Sequence, residues 1–410
     1  MPKLSDVAAI NPTRKVKKGE LVPFVEMAAL PLSGRDISAS DVETRVAKAA
    51  GAHFQNGDTL LARITPCLEN GKTAQVNVLA DGTVGEGSTE FIVLCGHDSA
   101  DNDFVYYLCR EPEFRKFAIS RMEGTSGRQR VAWQSIAGYP IELPSPDVRR
   151  DAADFLATLD DRIDNLRQTN ATLEAIATAL FKSRFVDFDG VPQEEMQESE
   201  LGLIPRGWRV ASLEEHVDAE RGLSYKGAGL AEAGAGVPMH NLNSVLEFGG
   251  YKYAGIKYYS GDYKEKHLAV AGDIIVANTE QGHEHRLIGF PAIVPGSYAS
   301  GLFSHHLYRV RIKADSPIMR EWLYHCLMAP SVREQIIGCA NGSTVNMLKP
   351  DGLKIPRFAL PPHELCETFD AVAAPLRLKA EANVEQMKTL TALRDALLPR
   401  LISGQLRVGQ

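Results

Sequence analysis

The chain has 410 residues, of which 44% are hydrophobic and 24% are charged, and its formal net charge is −7 at pH 7. This length suits two globular domains, because a single hydrophobic core stops growing at roughly 250–300 residues, and the composition excludes a disordered or fibrous protein. No apolar run approaches the roughly 18 residues that a membrane span needs, and the N-terminus lacks the long apolar region of a signal peptide, so we expect a cytoplasmic protein with no membrane partner.

The first 144 residues combine strand-like and helical patterns. The run FIVLC at 91–95 has the continuous apolar composition of a buried strand, and residues 104–119 have a helical spacing that Pro112 interrupts. We therefore predict a first globular domain over residues 1–144.

A long helix is predicted from Pro146 to Phe185. Ser145 suits the N-cap, Pro146 the first helical position and Asp147 the positive end of the helix dipole. No Gly or Pro follows before Gly190, and a rise of 1.5 Å per residue gives a length of roughly 60 Å. The spacing alternates between three and four residues along the predicted coiled-coil face, which contains Leu156, Leu159, Ile163, Leu166, Asn170, Leu173, Ala177 and Leu180.

Asn170 stands at a core position of this predicted coiled coil. A polar residue there fixes the register and the orientation of the partner helix; the alternative is a helix that is exposed at that turn. We assign residues 145–186 to a central helical region.

The rest of the chain repeats this order of elements. Residues 187–207 are polar, acidic and punctuated by Gly and Pro, so a linker is predicted there. A second mixed domain is predicted over residues 208–361, with strands at GDIIVAN and LYRVRI and a helix at EWLYHCLM.

A C-terminal helical region is predicted over residues 362–403. Its coiled-coil face contains Leu390, Leu393 and Leu397. Asn383 also falls on this face, and Pro375 is expected to kink or restart the helix. Two long helices, each following its own domain, would most simply pair with each other antiparallel.

The two halves repeat one pattern at a nearly constant offset in residue number. Val22-Pro23 recurs as Val237-Pro238 and Gly57-Asp58 recurs as Gly272-Asp273, both at an offset of 215, and Leu143-Pro144 recurs as Leu360-Pro361 at an offset of 217. Three anchors at nearly one spacing indicate a duplicated unit. The predicted fold class is α+β, with two tandem pseudo-symmetric α/β domains joined by a pair of long antiparallel coiled-coil helices.

The negative net charge argues against a nucleic-acid partner until its distribution is considered. Basic residues cluster outside the long helix in each half: Arg110, Arg115, Lys116, Arg121, Arg128 and Arg130 in the first, and Lys252, Lys257 and Lys264 among tyrosines in the second. Phosphate contacts need clustered Lys and Arg, so both clusters favour DNA binding. A solvated surface is the alternative for each cluster.

Several stretches, in their order along the chain, resemble the specificity subunit of a Type I restriction-modification system. They are ALFKSRFVDF, ESELGLIPRGWRVASLEEH, the two GDxx(V/L)A strands, the Gly-Ser/Thr loops followed by IELPSP and ALPPHE, and LRDALLPRLISGQLRV. The resemblance covers essentially the whole chain. It implies two target recognition domains that each read half of a split double-stranded DNA sequence, and two helical regions that pair as a spacer and dock methyltransferase subunits.

The resemblance also implies no catalytic residue and no cofactor in this chain, since methylation belongs to the modification subunits and cleavage to the restriction subunits. The residues agree: Gly71-Lys72-Thr73 lacks the earlier Gly of a P-loop, because position 66 is Pro. The pairs His283/His285 and His305/His306 are explained by packing without a metal, and the six cysteines form no CxxC pair.

Two alternatives stay open at this stage. One is a DNA-modifying enzyme, either a methyltransferase or a nuclease, with its own active site. The other is an interaction scaffold whose basic loops are incidental.

Each predicted domain has two candidate DNA-contact segments. The first follows the GD strand and contains Arg63, Thr65, Asn70 and Lys72 in one domain and Asn278, Thr279, Gln281, His283 and Arg286 in the other. The second precedes the last strand and contains Thr125, Ser126, Arg128, Gln129 and Arg130, or Ser343, Thr344, Asn346 and Lys349. Arg can bond guanine bidentately, Asn and Gln can bond adenine, and Ser, Thr and Lys can hold phosphates.

A surface polar residue is the alternative for each member of these segments. The two domains differ here, because Arg128-Gln129-Arg130 aligns with Val345-Asn346-Met347 at an offset of 217. We therefore predict an asymmetric, non-palindromic DNA target.

Overall fold

The computed structural model describes residues 1–125, 127–282, 284–298, 300–342 and 345–409. The chain forms two compact units: unit 1 is Met1–Gln168 with Val384–Gln410, and unit 2 is Thr169–Asn383. These units differ from the predicted domains, since each includes part of both long helices. Among the described residues, no helix combines the length and the apolar character needed to cross a membrane.

Unit 1 combines one antiparallel sheet and one mixed sheet with short helices. Its strands are β1 (Ala8–Ile10), β2 (Leu21–Val25), β3 (Val42–Val46), β4 (Ala52–Phe54), β5 (Thr59–Ala62), β6 (Thr73–Gln75), β7 (Gly85–Gly87), β8 (Phe91–Gly96), β9 (Met122–Glu123) and β10 (Arg130–Val131). Its helices are α1 (Asn102–Arg110), α2 (Pro112–Ser120), α3 (Trp133–Ala137) and the first part of α4 (Pro146–Phe185). The strand orders are β1-β8-β5-β6 and β3-β2-β7-β4, and β9 pairs with β10.

Unit 2 has the same plan with additional strands. Its strands are β11 (Met196–Ser199), β12 (Gly202–Pro205), β13 (Arg209–Ser212), β14 (Val217–Arg221), β15 (Leu230–Ala231), β16 (Val237–His240), β17 (Lys257–Tyr259), β18 (Leu268–Val270), β19 (Ile274–Ala277), β20 (Thr279–Gln281), β21 (Pro291–Ile293), β22 (Ser300–Phe303), β23 (Leu307–Ile312), β24 (Ala340–Asn341), β25 (Val345–Leu348) and β26 (Arg357–Leu360). Its helices are α5 (Leu213–His216), α6 (Arg320–Met328), α7 (Pro330–Gly338) and the first part of α8 (His363–Ile402).

The sheets of the two units correspond strand by strand. The order β1-β8-β5-β6 matches β14-β23-β19-β21, and β3-β2-β7-β4 matches β17-β16-β22-β18, to which β15 is added. The parallel pairs match as well, since β2 pairs with β7 and β16 pairs with β22. Helices α4 and α8 both have 40 residues. The duplicated unit and the α+β class predicted from the sequence are therefore confirmed.

The repeated Gly-Asp pair forms the turn before the central strand of each sheet. Gly57 and Gly272 have φ values of 85° and 89°, a region that residues with a Cβ rarely adopt. Each following carboxylate, of Asp58 or Asp273, accepts a hydrogen bond of 2.8 Å from the backbone N–H three residues earlier. This motif is structural, so it marks the repeat without itself providing a DNA contact.

The two long helices pack antiparallel within each unit. In unit 2, Asn170 contacts Asn383 and Phe181 contacts Phe369. Residue numbers therefore rise along α4 as they fall along α8, which is the antiparallel arrangement. The Asn383 Nδ2 donates to Asn170 Oδ1 at 2.7 Å, and the Asn170 Nδ2 donates to the Ala380 carbonyl oxygen at 3.0 Å. Asn170 and Asn383 thus form a polar pair at the packed face, as a register-fixing role requires.

In unit 1 a buried ion pair joins the same two helices. Asp160 and Arg394 are 5% and 6% exposed, and the Arg394 Nη1 donates to Asp160 Oδ1 at 2.5 Å. The Tyr107 hydroxyl donates to the other carboxylate oxygen at 2.8 Å. The predicted apolar residues Leu156, Leu159, Ile163 and Leu166 are all buried.

Two residues assigned to the coiled-coil face are exposed instead. Leu180 is 44% exposed and its neighbour Phe181 is 5% exposed, because the wider aromatic ring fills the core of unit 2 at that level. Leu393 is 43% exposed, since the buried position is taken by Arg394. Leu173, Leu390 and Leu397 are partly buried.

The helix does not restart at Pro375, because α8 continues through this residue from His363 to Ile402. An internal proline costs about 3 kcal/mol through a lost hydrogen bond and a clash with the preceding turn. Phe369 and Ala373, which are 4% and 1% exposed, bury the same turn region in the core of unit 2. Tertiary packing of this kind decides helix formation more than local propensity does.

The segment predicted as a linker contains an ordered hairpin of β11 and β12. Ile204 in β12 is 3% exposed and Trp208 just after it is 7% exposed, and both belong to the core of unit 2. The acidic composition of this segment gave no indication of the buried Ile204.

Candidate nucleic-acid interface

The structure brings the two predicted contact segments of unit 1 together. The Thr65 amide donates to the Gln129 carbonyl oxygen at 3.0 Å, and Ile64 forms an antiparallel bridge with Arg130. We call residues 63–65 with 128–130 the unit 1 face.

Arg128 and Arg130 are the exposed cations of the unit 1 face. The Arg130 Nε lies 3.0 Å from both carboxylate oxygens of Glu90, and its Nη2 lies 2.7 Å from one of them. These hydrogen bonds raise the pKa of Arg130 above its ordinary value. The carboxylate therefore orients Arg130 and offsets its charge, whereas Arg128 projects into solvent.

The other predicted residues of unit 1 have varied surroundings. Asn70 and Thr125 are exposed, Arg63 and Gln129 are partly buried, and Ser126 lies outside the described residues. The Thr65 hydroxyl donates to Glu69 at 3.2 Å. Lys72 turns inward, because its Nζ donates to the Met27 carbonyl oxygen at 2.8 Å.

The corresponding segments of unit 2 are also adjacent, as strands β20 and β25. Thr279 pairs with Met347 and Gln281 pairs with Val345, and β24 pairs with the other edge of β25. The bridge between Thr279 and Met347 is equivalent to the bridge between Ile64 and Arg130, because the offsets in residue number are 215 and 217. We call residues 279–281 with 345–347 the unit 2 face.

Three predicted contact residues of unit 2 are buried and hydrogen bonded within the unit. The Asn278 Nδ2 donates to the His305 carbonyl oxygen at 3.0 Å, the Thr279 hydroxyl lies 3.0 Å from His306 Nδ1, and the Asn346 Nδ2 donates to the Gly282 carbonyl oxygen at 2.7 Å. These side chains hold the strands in register and do not face solvent.

The remaining predicted residues of unit 2 include three exposed side chains: Gln281, Arg286 and Lys349. The Arg286 Nε lies 2.8 Å from a carboxylate oxygen of Glu284. His283, Ser343 and Thr344 lie outside the described residues.

A group of cations and aromatic rings borders the unit 2 face and was not predicted as a contact set. The exposed Arg221 has its Nη2 3.9 Å from Met347 Sδ and its Nε 3.1 Å from the His305 carbonyl oxygen. The ring centroids of His305 and His306 are 4.0 Å apart. Sequence reasoning missed this group because Arg221 and the two histidines lie far apart along the chain. The adjacent histidines before LYRVRI were the available signal.

The charge of His306, which lies beside the unit 2 face, depends on the groups around it. Burial lowers the pKa of His306 below its ordinary value, and the nearby His305, Arg221 and Lys257 lower it further. His306 is therefore neutral at pH 7, where one ring nitrogen donates and the other accepts a hydrogen bond according to the tautomer.

Proteins similar to this chain are found among the subunits of Type I restriction enzymes. No protein-family model matches the chain. The MjaIX specificity subunit of a Type I restriction enzyme from Methanocaldococcus jannaschii is 27% identical over 324 residues, which cover 76% of this chain and 70% of that protein. The HindI specificity subunit from Haemophilus influenzae is 25% identical, and the match covers 86% of this chain and 87% of that protein.

The chain resembles Type I restriction enzyme specificity subunits over most of its length. The resemblance identified from sequence motifs is thereby confirmed. A solved structure, the S subunit of a Type I restriction-modification system from M. genitalium, aligns with a TM-score of 0.57 at 13% identity, covering 98% of this chain and 95% of that one. This likeness establishes a shared fold.

Proposed function

We propose that this chain is the specificity subunit of a Type I restriction-modification complex. It binds a bipartite double-stranded DNA target, with the unit 1 face on one half-site and the unit 2 face on the other, and it has no catalytic residue of its own. The observation that carries the proposal is the recurrence of one paired-strand framework in both units with different outward side chains. The relatives, all named as specificity subunits, support it.

The two faces would read different bases, so the target should be asymmetric. Arg128 and Arg130 present guanidinium groups, which suit guanine or phosphate, where unit 2 presents Val345 and Met347. Identical half-sites would require matching outward side chains, and these do not match.

The long helices would set the length of the non-contacted spacer between half-sites. Inserting seven residues between Leu159 and Leu180, with a matched insertion between Pro375 and Arg394, adds about 10.5 Å of helix and keeps the heptad phase. The spacer should lengthen by about three base pairs at 3.4 Å each. An unchanged spacer contradicts this part of the proposal.

Methyltransferase subunits would dock on apolar side chains that the long helices leave exposed. Ile176 and Leu180 in α4 are each 44% exposed, and Leu378 in α8 is 61% exposed. Ile176 and Leu180 are four residues apart and so lie on one face of α4, where a protein partner would bury both side chains. Leu180→Glu with Leu378→Glu should abolish co-purification with the modification subunit, and restriction subunits would complete the complex.

Methylome sequencing tests the main proposal. A strain that expresses this chain with its modification subunits should gain methylation at one split, asymmetric sequence, and a strain without this chain should lack it. A palindromic or continuous motif contradicts the proposal. DNA methylation or cleavage by the purified chain alone would favour the alternative, an enzyme with its own active site.

A further inference from the structure

Two apolar side chains project from the unit 2 face. Val345 is 50% exposed and Met347 is 42% exposed. They alternate along β25 with Asn346 and Leu348, which are 4% and 1% exposed, as successive residues of a strand point to opposite sides. Exposed apolar groups in the middle of a DNA-binding surface need a chemical explanation.

The backbone holds these two side chains in a fixed position. The Leu348 amide donates to the Asn278 carbonyl oxygen at 2.8 Å, and the Tyr308 hydroxyl donates to the Leu348 carbonyl oxygen at 3.2 Å. The Asn346 side chain bonds the Gly282 carbonyl oxygen. The backbone of Val345 and Met347 is therefore already ordered before a ligand arrives, which lowers the entropic cost of binding.

The border of this apolar pair is cationic, which favours a polyanion over another protein core. Arg221 contacts Met347 directly, and Lys349 is exposed two residues further along the chain. On the far side of His305 lies Tyr225, whose hydroxyl is 3.4 Å from the Lys257 Nζ. Arg and Lys placed around a readout surface hold phosphates and fix its orientation.

DNA offers one apolar group in the major groove, the 5-methyl group of thymine. Alternate residues of a strand are roughly 6.6 Å apart, which is close to two base steps of 3.4 Å. We infer that Val345 and Met347 contact thymine 5-methyl groups in the half-site read by unit 2. This inference rests on the proposed function and adds the base class that unit 2 recognises.

The corresponding positions of unit 1 act as an internal comparison. Arg128 and Arg130 stand there, at the offset of 217, and neither offers an apolar tip to a methyl group. Sensitivity to thymine methyl groups at these positions should therefore be confined to one half of the target.

The test uses the full chain with its modification subunits and a duplex that contains the methylome-defined target. Each thymine is replaced in turn by deoxyuridine, which removes only the 5-methyl group. At least one replacement in the unit 2 half-site should weaken binding about fourfold, the equivalent of one buried methyl group. Replacements in the unit 1 half-site should have a smaller effect.

Variants link the effect to named side chains. Met347→Ala or Val345→Ala should weaken binding to the thymine duplex about fourfold and remove the matching deoxyuridine penalty. The matched control is Leu230→Ala, because Leu230 is 41% exposed on another strand of the same unit and should leave affinity and penalty unchanged. Thermal unfolding checks that every variant folds.

Three outcomes overturn the inference: a unit 2 half-site without A·T pairs, equal affinity for all deoxyuridine duplexes, or a full penalty that persists in both alanine variants. Loss of modification-subunit binding in Met347→Ala without loss of DNA affinity would assign the apolar pair to a protein partner instead. Failure of the unaltered complex to bind any DNA would overturn the proposed function as well, so the two failures are distinguishable.

Discussion

The unit 1 face and the unit 2 face have equivalent backbones and contrasting outward chemistry. Each has an antiparallel pairing between the segment that follows the GD strand and a later segment of the same unit: the bridge of Ile64 with Arg130 in unit 1, and the pairing of β20 with β25 in unit 2. Arg128 and Arg130 project from one, and Val345 and Met347 from the other. Because the inward partners maintain the pairing, the outward residues can differ without loss of the fold.

The contrast extends to the groups that flank each face. Glu90 binds Arg130 in unit 1, and His306, which stands at the equivalent place in the repeat, bonds Thr279 in unit 2. The helix pair also differs, with the Asp160–Arg394 ion pair in unit 1 and the Asn170–Asn383 pair in unit 2. The two copies of the duplicated framework are thus held by different polar contacts.

The largest expected effect is on the helix packing of unit 1. Asp160→Ala should lower the free energy of unfolding by about 3 kcal/mol, because Arg394 keeps only the exposed Asp395 carboxylate and the Tyr107 hydroxyl loses its acceptor. Chemical denaturation measures this loss. The matched control is Asp161→Ala, since that carboxylate is 64% exposed in its pair with Arg35 and should contribute less than about 1 kcal/mol. Equal losses for both variants would show that the buried ion pair stabilises unit 1 no more than the exposed pair does.

Acid should destabilise unit 2 before unit 1. Burial lowers the pKa of His240 and of His325 to about 4, against about 6.5 in an unfolded chain. The unfolded state therefore binds protons that the folded state excludes, so stability is complete above about pH 6.5 and falls as the pH approaches 4. The loss is roughly 2–3 kcal/mol for each histidine.

Hydrogen exchange resolved by unit, at pH 7.5, 6 and 5, checks this order. Unit 1 contains His53 and His97, neither of which is buried, so its protection should change less. His325→Gln should remove part of the pH dependence of unit 2, because His240 remains and the pKa values of His216, His267 and His306 in the same unit are also lowered, chiefly by burial. Loss of amide protection in unit 1 at a higher pH than in unit 2 would contradict the assignment of acid sensitivity to the buried histidines of unit 2.

The asparagine pair should contribute less to stability than the ion pair. Asn383 is 1% exposed, and Asn383→Ala leaves Asn170 Oδ1 without its donor, at a cost of about 1–3 kcal/mol in urea denaturation. Asn170→Leu with Asn383→Leu should restore most of that loss and weaken the control of helix register. If the double leucine variant is no more stable than Asn383→Ala, leucine side chains do not replace the stabilisation that the asparagine pair provides.

The smallest expected effect concerns the charge of the unit 1 face. Glu90→Gln removes a negative charge and releases Arg130, so DNA binding should tighten by about two- to fivefold at low salt, and the gain should shrink at about 0.5 M salt. Glu43→Gln, which alters an exposed pair with Arg45 on β3, is the control. Weaker binding of Glu90→Gln would show that Arg130 needs its carboxylate to be oriented.

The framework was largely predictable from the sequence, because periodicity and repeated turn residues report local structure. GDTLLA and GDIIVA predicted strands β5 and β19 at the right offset, and Pro112 separated α1 from α2. The errors came from long-range packing. Nothing local distinguishes Leu393 from Arg394 as the buried residue until Asp160 is placed opposite, and nothing local shows that the core overrides Pro375.

The candidate interface was predictable only in part. Residue type identified the segments around Arg128 and Gln281, but Asn278 and Asn346, which have suitable chemistry for bases, are used internally. Arg221 joins the unit 2 face through β14, which lies far from every predicted contact segment along the chain. Side-chain direction and distant strand partners are absent from a single sequence.

The central claim is that each unit reads its own half-site through its outward side chains. The most direct measurement is methylome sequencing of a strain in which Arg128, Gln129 and Arg130 are replaced together by Val, Asn and Met, the residues at 345–347. The account predicts that one half of the methylated motif changes while the other half and the spacer are retained. A change in both halves, or an unaltered motif, would contradict it.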